Sequence, residues 1–133
     1  MTFQSFIVNG RAHFDFGESR DVVSNNLKRY TLHEIDASNG IYAIYAYGIE
    51  YLFDNDKLCL VQYEISRLKQ VYICSHKITD KTDLSEFIEF LSELNIAYSE
   101  SSSNEQMILT MGSGVKIYFD CNSRKFLTAL KSW

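Results

Sequence analysis

The sequence predicts an α+β protein made of tandem helix-plus-four-strand units, mainly antiparallel, with the helices packed on one side of the sheet. Three observations carry that expectation. Gly48-Ile49-Glu50-Tyr51-Leu52-Phe53-Asp54 reappears as Gly114-Val115-Lys116-Ile117-Tyr118-Phe119-Asp120, and each block runs through a polar turn into another apolar strand, Lys57 to Ile65 and Lys125 to Lys131. A capped helical pattern precedes each block, beginning near Ser19 and near Asp83. There is no proline, which suits strands that all donate to a ladder. Repetition constrains architecture before any local assignment. Here it divides a single compact domain, 1–133, into a first half, 1–68, and a second half, 69–133.

The elements follow in order. Phe3–Val8 and Arg11–Phe16 read as a hairpin about Asn9-Gly10, a dipeptide suited to a type I′ turn. Ser19 is an N-cap, and Val23, Leu27 and Tyr30 form an apolar stripe at helical spacing. Glu18 and Asp21 lie near the positive end of that helix, Lys28 and Arg29 near the negative end, as its macrodipole prefers. Strands are expected at about 31–35, 41–47, 49–54 and 57–65, with a further one at 69–75. The 41–47 run is apolar or aromatic on both faces, as for a central strand.

The second half opens with Asp83 and Glu86 spaced as a capping box. Leu84, Phe87, Ile88, Leu91 and Leu94 then form the clearest helical stripe in the chain. Strands at about 96–100, 107–111, 115–120 and 125–131 complete the unit, with Ser99–Glu105 as a polar loop. One helix on four strands buries a single face, so two units are expected to share a core. At roughly 25 cal/mol per Å2 of apolar area, that face supplies most of the favourable energy. Two sheets and one continuous sheet are both compatible with the pattern.

Composition narrows the function. The chain is 46% hydrophobic, 23% charged and 14% aromatic, which is globular. No apolar run approaches the roughly 20 residues of a membrane span, and the N-terminus lacks a signal-peptide pattern, so a cytoplasmic protein with no membrane role is expected. Cys59, Cys74 and Cys121 are odd in number and widely spaced, and they read as buried thiols with no disulfide or zinc site. No metal, cofactor or catalytic motif is found, and none is expected. Cys74 and His76, two apart, are the one pairing suggestive of a nucleophile, and ordinary strand residues are the simpler reading. His13 and His33 flank the first helix without a ligand companion. Asp54 and Asp120 close equivalent strands and read as turn residues. A net charge of −4 argues against nucleic acid as a partner.

That acidity is local. Residues 79–105 hold seven acids and one base, Lys81, whereas the remainder holds ten acids and twelve bases. Glu86, Glu89 and Glu93 lie on the helix face away from the leucine stripe. Glu89 and Glu93 are like charges at i, i+4, and Glu93 sits where the dipole prefers a cation. Glu100 and Glu105 extend this character. An exposed negative surface of this kind speeds encounter with a basic protein. Tyr98, with Tyr47 or Tyr63, is a candidate aromatic anchor at its rim.

In size, acidity and helix-plus-sheet layout the chain resembles the immunity proteins of contact-dependent growth inhibition and related polymorphic toxin systems. The tandem layout is also similar to that of β-lactamase inhibitory protein, a secreted, disulfide-bonded family, in architecture alone. The first resemblance implies an inhibitor that is not an enzyme and binds one cognate toxin domain, a basic protein such as a nuclease. Its contact residues are expected to include Glu86, Glu89, Glu93, Tyr98, Glu100 and Glu105. The alternative is a non-catalytic adaptor or assembly subunit that self-associates through a sheet edge. A third possibility is a small enzyme or ligand-binding domain using a tyrosine-rich groove between the repeats. Oligomeric state is left open.

Overall fold

Eight antiparallel strands form one continuous sheet, which decides between one sheet and two. The computed structural model describes residues 2–67 and 70–133. The first half contributes β1 (Thr31–Asp36), β2 (Ile41–Ala46), β3 (Ile49–Asp54) and β4 (Lys57–Glu64). The second contributes β7 (Tyr98–Ser103), β8 (Gln106–Met111), β9 (Lys116–Asp120) and β10 (Phe126–Ser132). Each is a meander, and the two join through their last strands, β4 and β10. The expected boundary, Leu68/Lys69, lies outside the described residues.

The repetition is followed residue pair by residue pair across the β4–β10 seam. Matching Lys57 to Lys125 exchanges the pair Thr128–Glu64 with Ser132–Leu60, and Ala129–Tyr63 with Lys131–Val61. Leu130–Gln62 maps onto itself, so a pseudo-two-fold axis passes there. Both halves also carry a bulge at the same place. The β3–β4 register skips Cys59 and the β9–β10 register skips Leu127. A bulge bends its strand and increases local twist. Finally, each helix cap bridges to the start of the fourth strand of its own unit, Ser19 to Lys57 and Asp83 to Lys125.

Helices and core lie on one face. Helix α2 (Arg20–Asn25) buries Val23, and α3 (Leu84–Glu93) buries Leu84, Phe87 and Leu91. Phe87 meets Phe119 and Phe126 at ring distances of 5.4 and 5.5 Å. Each such ring, fully buried, contributes about 1.5–3 kcal/mol. Ile44, Tyr51, Phe53, Leu58, Val61, Leu109, Ile117 and Phe119 supply the sheet side of the same core. The opposite face carries Tyr45, Leu52, Gln62, Leu130 and Tyr118 in half-buried positions.

Four local expectations are corrected. Phe3–Asn9 is a helix, α1, and not a strand. Thr2 and Ser5 form a capping box, and Phe3, Phe6 and Ile7 share the buried side at helical spacing. Gly10 caps this helix in the left-handed conformation at φ 67°, with its N–H donating to Phe6 O. A Cβ there would come within 2.7 Å of Ser113 O. Arg11–Phe16 accordingly has no hairpin partner and forms no strand.

The first-half helix is also shorter than its stripe suggests. It ends at Asn25, because the Asn26 side chain donates to Val22 O at 2.7 Å and closes the last turn. Leu27 is half-buried, Tyr30 is 45% exposed, and Lys28 and Arg29 lie beyond the helix end. The strand expected at 69–75 begins outside the described residues. What is observed is a separate hairpin, β5 (Val71–Ile73) with β6 (His76–Ile78). Lastly, Ser99–Ser103 is no loop: it is most of edge strand β7, paired residue by residue with β8.

Candidate functional site

The acidic segment runs from α3 through residues 94–97 into β7 and the turn that follows it. Asp83 starts the helix: its carboxylate accepts from Glu86 N at 3.0 Å, and Glu86 Oε1 accepts in return from Asp83 N at 3.4 Å. Glu86 is therefore exposed but tied to the cap. Glu93 is engaged as well, since His76 Nε2 lies 2.9 and 3.0 Å from its two carboxylate oxygens. The His76 ring stacks on Phe90 at 4.1 Å, so the β5–β6 hairpin is fastened to α3 by both contacts.

Glu89, Glu100 and Glu105 are exposed and have no ion pair among the described residues. Glu100 sits on β7 opposite Leu109, on the core-facing side, and stays exposed because β7 is the sheet edge. Glu105 lies in the β7–β8 turn, where its carbonyl accepts from Cys121 N. Tyr98 pairs with Met111 and packs, half-buried, on the core margin, so it is less free to act as an anchor than its sequence position suggests. The last turn of α3 holds no base. Of the six residues expected at the contact, three are free carboxylates, two are committed within the fold, and one is largely structural.

The other candidates resolve into local chemistry. Cys74 occupies the turn of the β5–β6 hairpin at φ 55°, so it shares no strand face with His76. Its N–H bonds Gln4 Oε1 at 2.7 Å. Cys74 and Cys121 are exposed, contrary to the reading as buried thiols, because turns carry both. Cys59 is half-buried at the bulge, and desolvation pushes its thiol pKa up. Asp120 accepts from Asn122 N and Ser123 N, and those backbone donors hold its carboxyl below the usual range. Asp36 accepts instead from side chains, Asn39 Nδ2 at 2.6 Å and Ser38 Oγ at 2.7 Å, and these donors lower its carboxyl pKa. Among the described residues, no group of three or more His, Cys, Asp or Glu could hold a metal ion.

One feature had no signal in the sequence. A cleft of about 630 Å3 opens beside α2, lined by His13, Glu18, Asn26, Tyr47, Ile49 and Tyr51 among others. It belongs to the first half and does not lie in a groove between the repeats. Phe14 meets Tyr51 edge-on at 5.4 Å in its wall. Burial lowers the pKa of His13 and raises that of Tyr51.

The fold and its surfaces define an α+β protein with a pseudo-two-fold, eight-stranded sheet and one acidic end. No helix among the described residues is long and apolar enough to cross a membrane. Compared with family models, curated proteins and solved structures, the chain has no match.

Proposed function

We propose that the protein is an immunity protein, a stoichiometric inhibitor that binds a basic toxin domain, of nuclease type, in the cytoplasm. It transforms nothing itself. The observation that carries this reading is the charge arrangement of α3 and β7. Glu89 stands between Glu86 and Glu93 at i−3 and i+4, and the helix ends without a cation. The first costs the free protein stability, and the second is offset in part by His76, whose Nε2 meets the Glu93 carboxylate. Glu100 and Glu105 continue the same sign on an edge strand and turn that contain no base. Like charge retained at the expense of the fold is what recognition of a cationic surface requires, since it speeds encounter and rejects acidic competitors.

Affinity capture from the native host at low salt tests it. A single basic protein should be retained in a 1:1 complex, its toxicity in a heterologous host should be relieved by co-expression, and E89K/E100K/E105K should lose both effects. Relief of toxicity that is undiminished in this triple variant contradicts the placement.

A second reading, self-association through a sheet edge, is favoured by β1, an edge strand with Leu32 and Ile35 45% and 54% exposed. Gel filtration decides it: a concentration-dependent dimer abolished by Leu32→Lys supports this reading, and a monomer throughout removes it.

A further inference from the structure

The pseudo-two-fold lets one half serve as the reference for the other. The N-caps Ser19 and Asp83 make the same bridge to Lys57 and Lys125, but seven residues on the halves differ: Asn26 is the C-cap of α2, whereas Phe90 is still inside α3. Upstream, His13 precedes Ser19 by six residues and His76 precedes Asp83 by seven. In the second half these places meet, with the His76 ring stacked on Phe90 at 4.1 Å and 7°. In the first half His13 and Asn26 both line an open cleft, together with Phe14, Tyr47 and Tyr51.

Its walls select the occupant further. Phe14, Tyr47 and Tyr51 supply aromatic surface, Val22, Leu27 and Ile49 supply aliphatic surface, and among the described residues no lysine or arginine lines the cleft. Glu18, half-buried, contributes a carboxylate, and its side chain has no ion pair among the described residues. Its backbone carbonyl is held by Leu58 N at 2.8 Å, which fixes its position at the head of β4. Desolvation lowers the pKa of His13, so at neutral pH its ring is a neutral stacking surface. Aromatic faces beside a carboxylate attract organic cations, and the volume lies within the range of small-molecule sites.

We propose that this cleft binds a small aromatic amine, with its ring against the faces of Phe14, Tyr47 and Tyr51 and its ammonium group directed at Glu18. This site is separate from the acidic face of α3 and β7 and does not depend on it.

The test uses the full-length protein labelled with 15N and three probes of one ring: tryptamine, indole and indole-3-propionate. Tryptamine should give saturable shifts of the Val22, Asn26 and Ile49 amides. Indole should bind roughly fivefold more weakly, the factor for one exposed charge contact, and indole-3-propionate more weakly still. Glu18→Gln should bring tryptamine down to the affinity of indole. Asn26→Phe, which puts a phenyl group into the lining of the cleft, should abolish binding of both. Should that variant melt well below the wild type, Glu18→Gln alone carries the test. The proposal is overturned by the absence of saturable shifts up to roughly 10 mM tryptamine, by indole-3-propionate binding as well as tryptamine, or by unchanged tryptamine affinity in Glu18→Gln.

Discussion

Replacing Glu89 by lysine should stabilise the free protein and weaken its hold on a basic partner. Glu89 is exposed on α3, three residues after Glu86 and four before Glu93. Each like-charged pair at these spacings costs about 0.2–0.5 kcal/mol, and each opposite pair returns a similar amount. Reversing one charge converts two pairs, a nominal swing of about 1–2 kcal/mol. Glu86 is tied to the cap and Glu93 to His76, and solvent screens all three groups, so about 0.5–1 kcal/mol is the expected gain. For a chain of this size that raises Tm by roughly 2–4 °C. Circular dichroism melts at low ionic strength measure it. The gain should shrink at about 1 M salt, where the Debye length falls to roughly 3 Å. Association with the basic partner should slow at the same time, most at low salt. A Tm for E89K equal to or below the wild type would falsify the claim that this helix face is held against the interest of the fold.

Three further outcomes follow from the core and the titrating groups. Phe87→Ala empties the ring cluster with Phe119 and Phe126 and should cost about 3–5 kcal/mol, read from urea unfolding; a loss under about 1 kcal/mol contradicts the packing described. Burial pushes the Tyr63 phenol up to about 12 and Tyr51 higher still, so both favour the neutral form in the fold. Their contribution is complete below the ordinary tyrosine pKa of about 10 and is lost as pH rises through 10–12. Spectrophotometric titration should show two tyrosines ionising only together with alkaline unfolding, and smooth ionisation of all nine without unfolding contradicts it. At the acid end, Asp36 and Asp120 have lowered pKa values, so their contribution is present above the ordinary carboxyl value and fades as pH falls below it. D36N/D120N should therefore flatten the acid limb of Tm against pH, and an unchanged limb refutes that role.

The strands were legible because repetition and apolar runs both marked them. β3 begins and ends at the expected residues, Ile49 and Asp54. The errors came from residues with two meanings. Asn9-Gly10 suits a hairpin turn and also a helix C-cap, since both want the left-handed region. The spacing of Phe3, Phe6 and Ile7 tells them apart, because strict alternation would place Phe6 opposite Phe3 and Ile7. A hairpin turn of two left-handed residues does exist, at Asn55 and Asp56 between β3 and β4. Serines gave β7 no propensity of its own, and its strand form comes from pairing with β8. The acidic carboxylates were readable as charge, but the ties of Glu86 to the cap and Glu93 to His76 join residues whose meeting only the fold decides. The cleft was invisible for the same reason. It is lined by residues between 13 and 51 that only the fold brings together, and no motif marks their meeting.

Hydrogen exchange on the complex with the captured partner measures the central claim most directly. Protection gained on binding should concentrate in residues 84–105, on α3, β7 and the turn bearing Glu105. Protection confined to the half-buried sheet face around Gln62 and Leu130, with 84–105 unchanged, would contradict recognition through the acidic end.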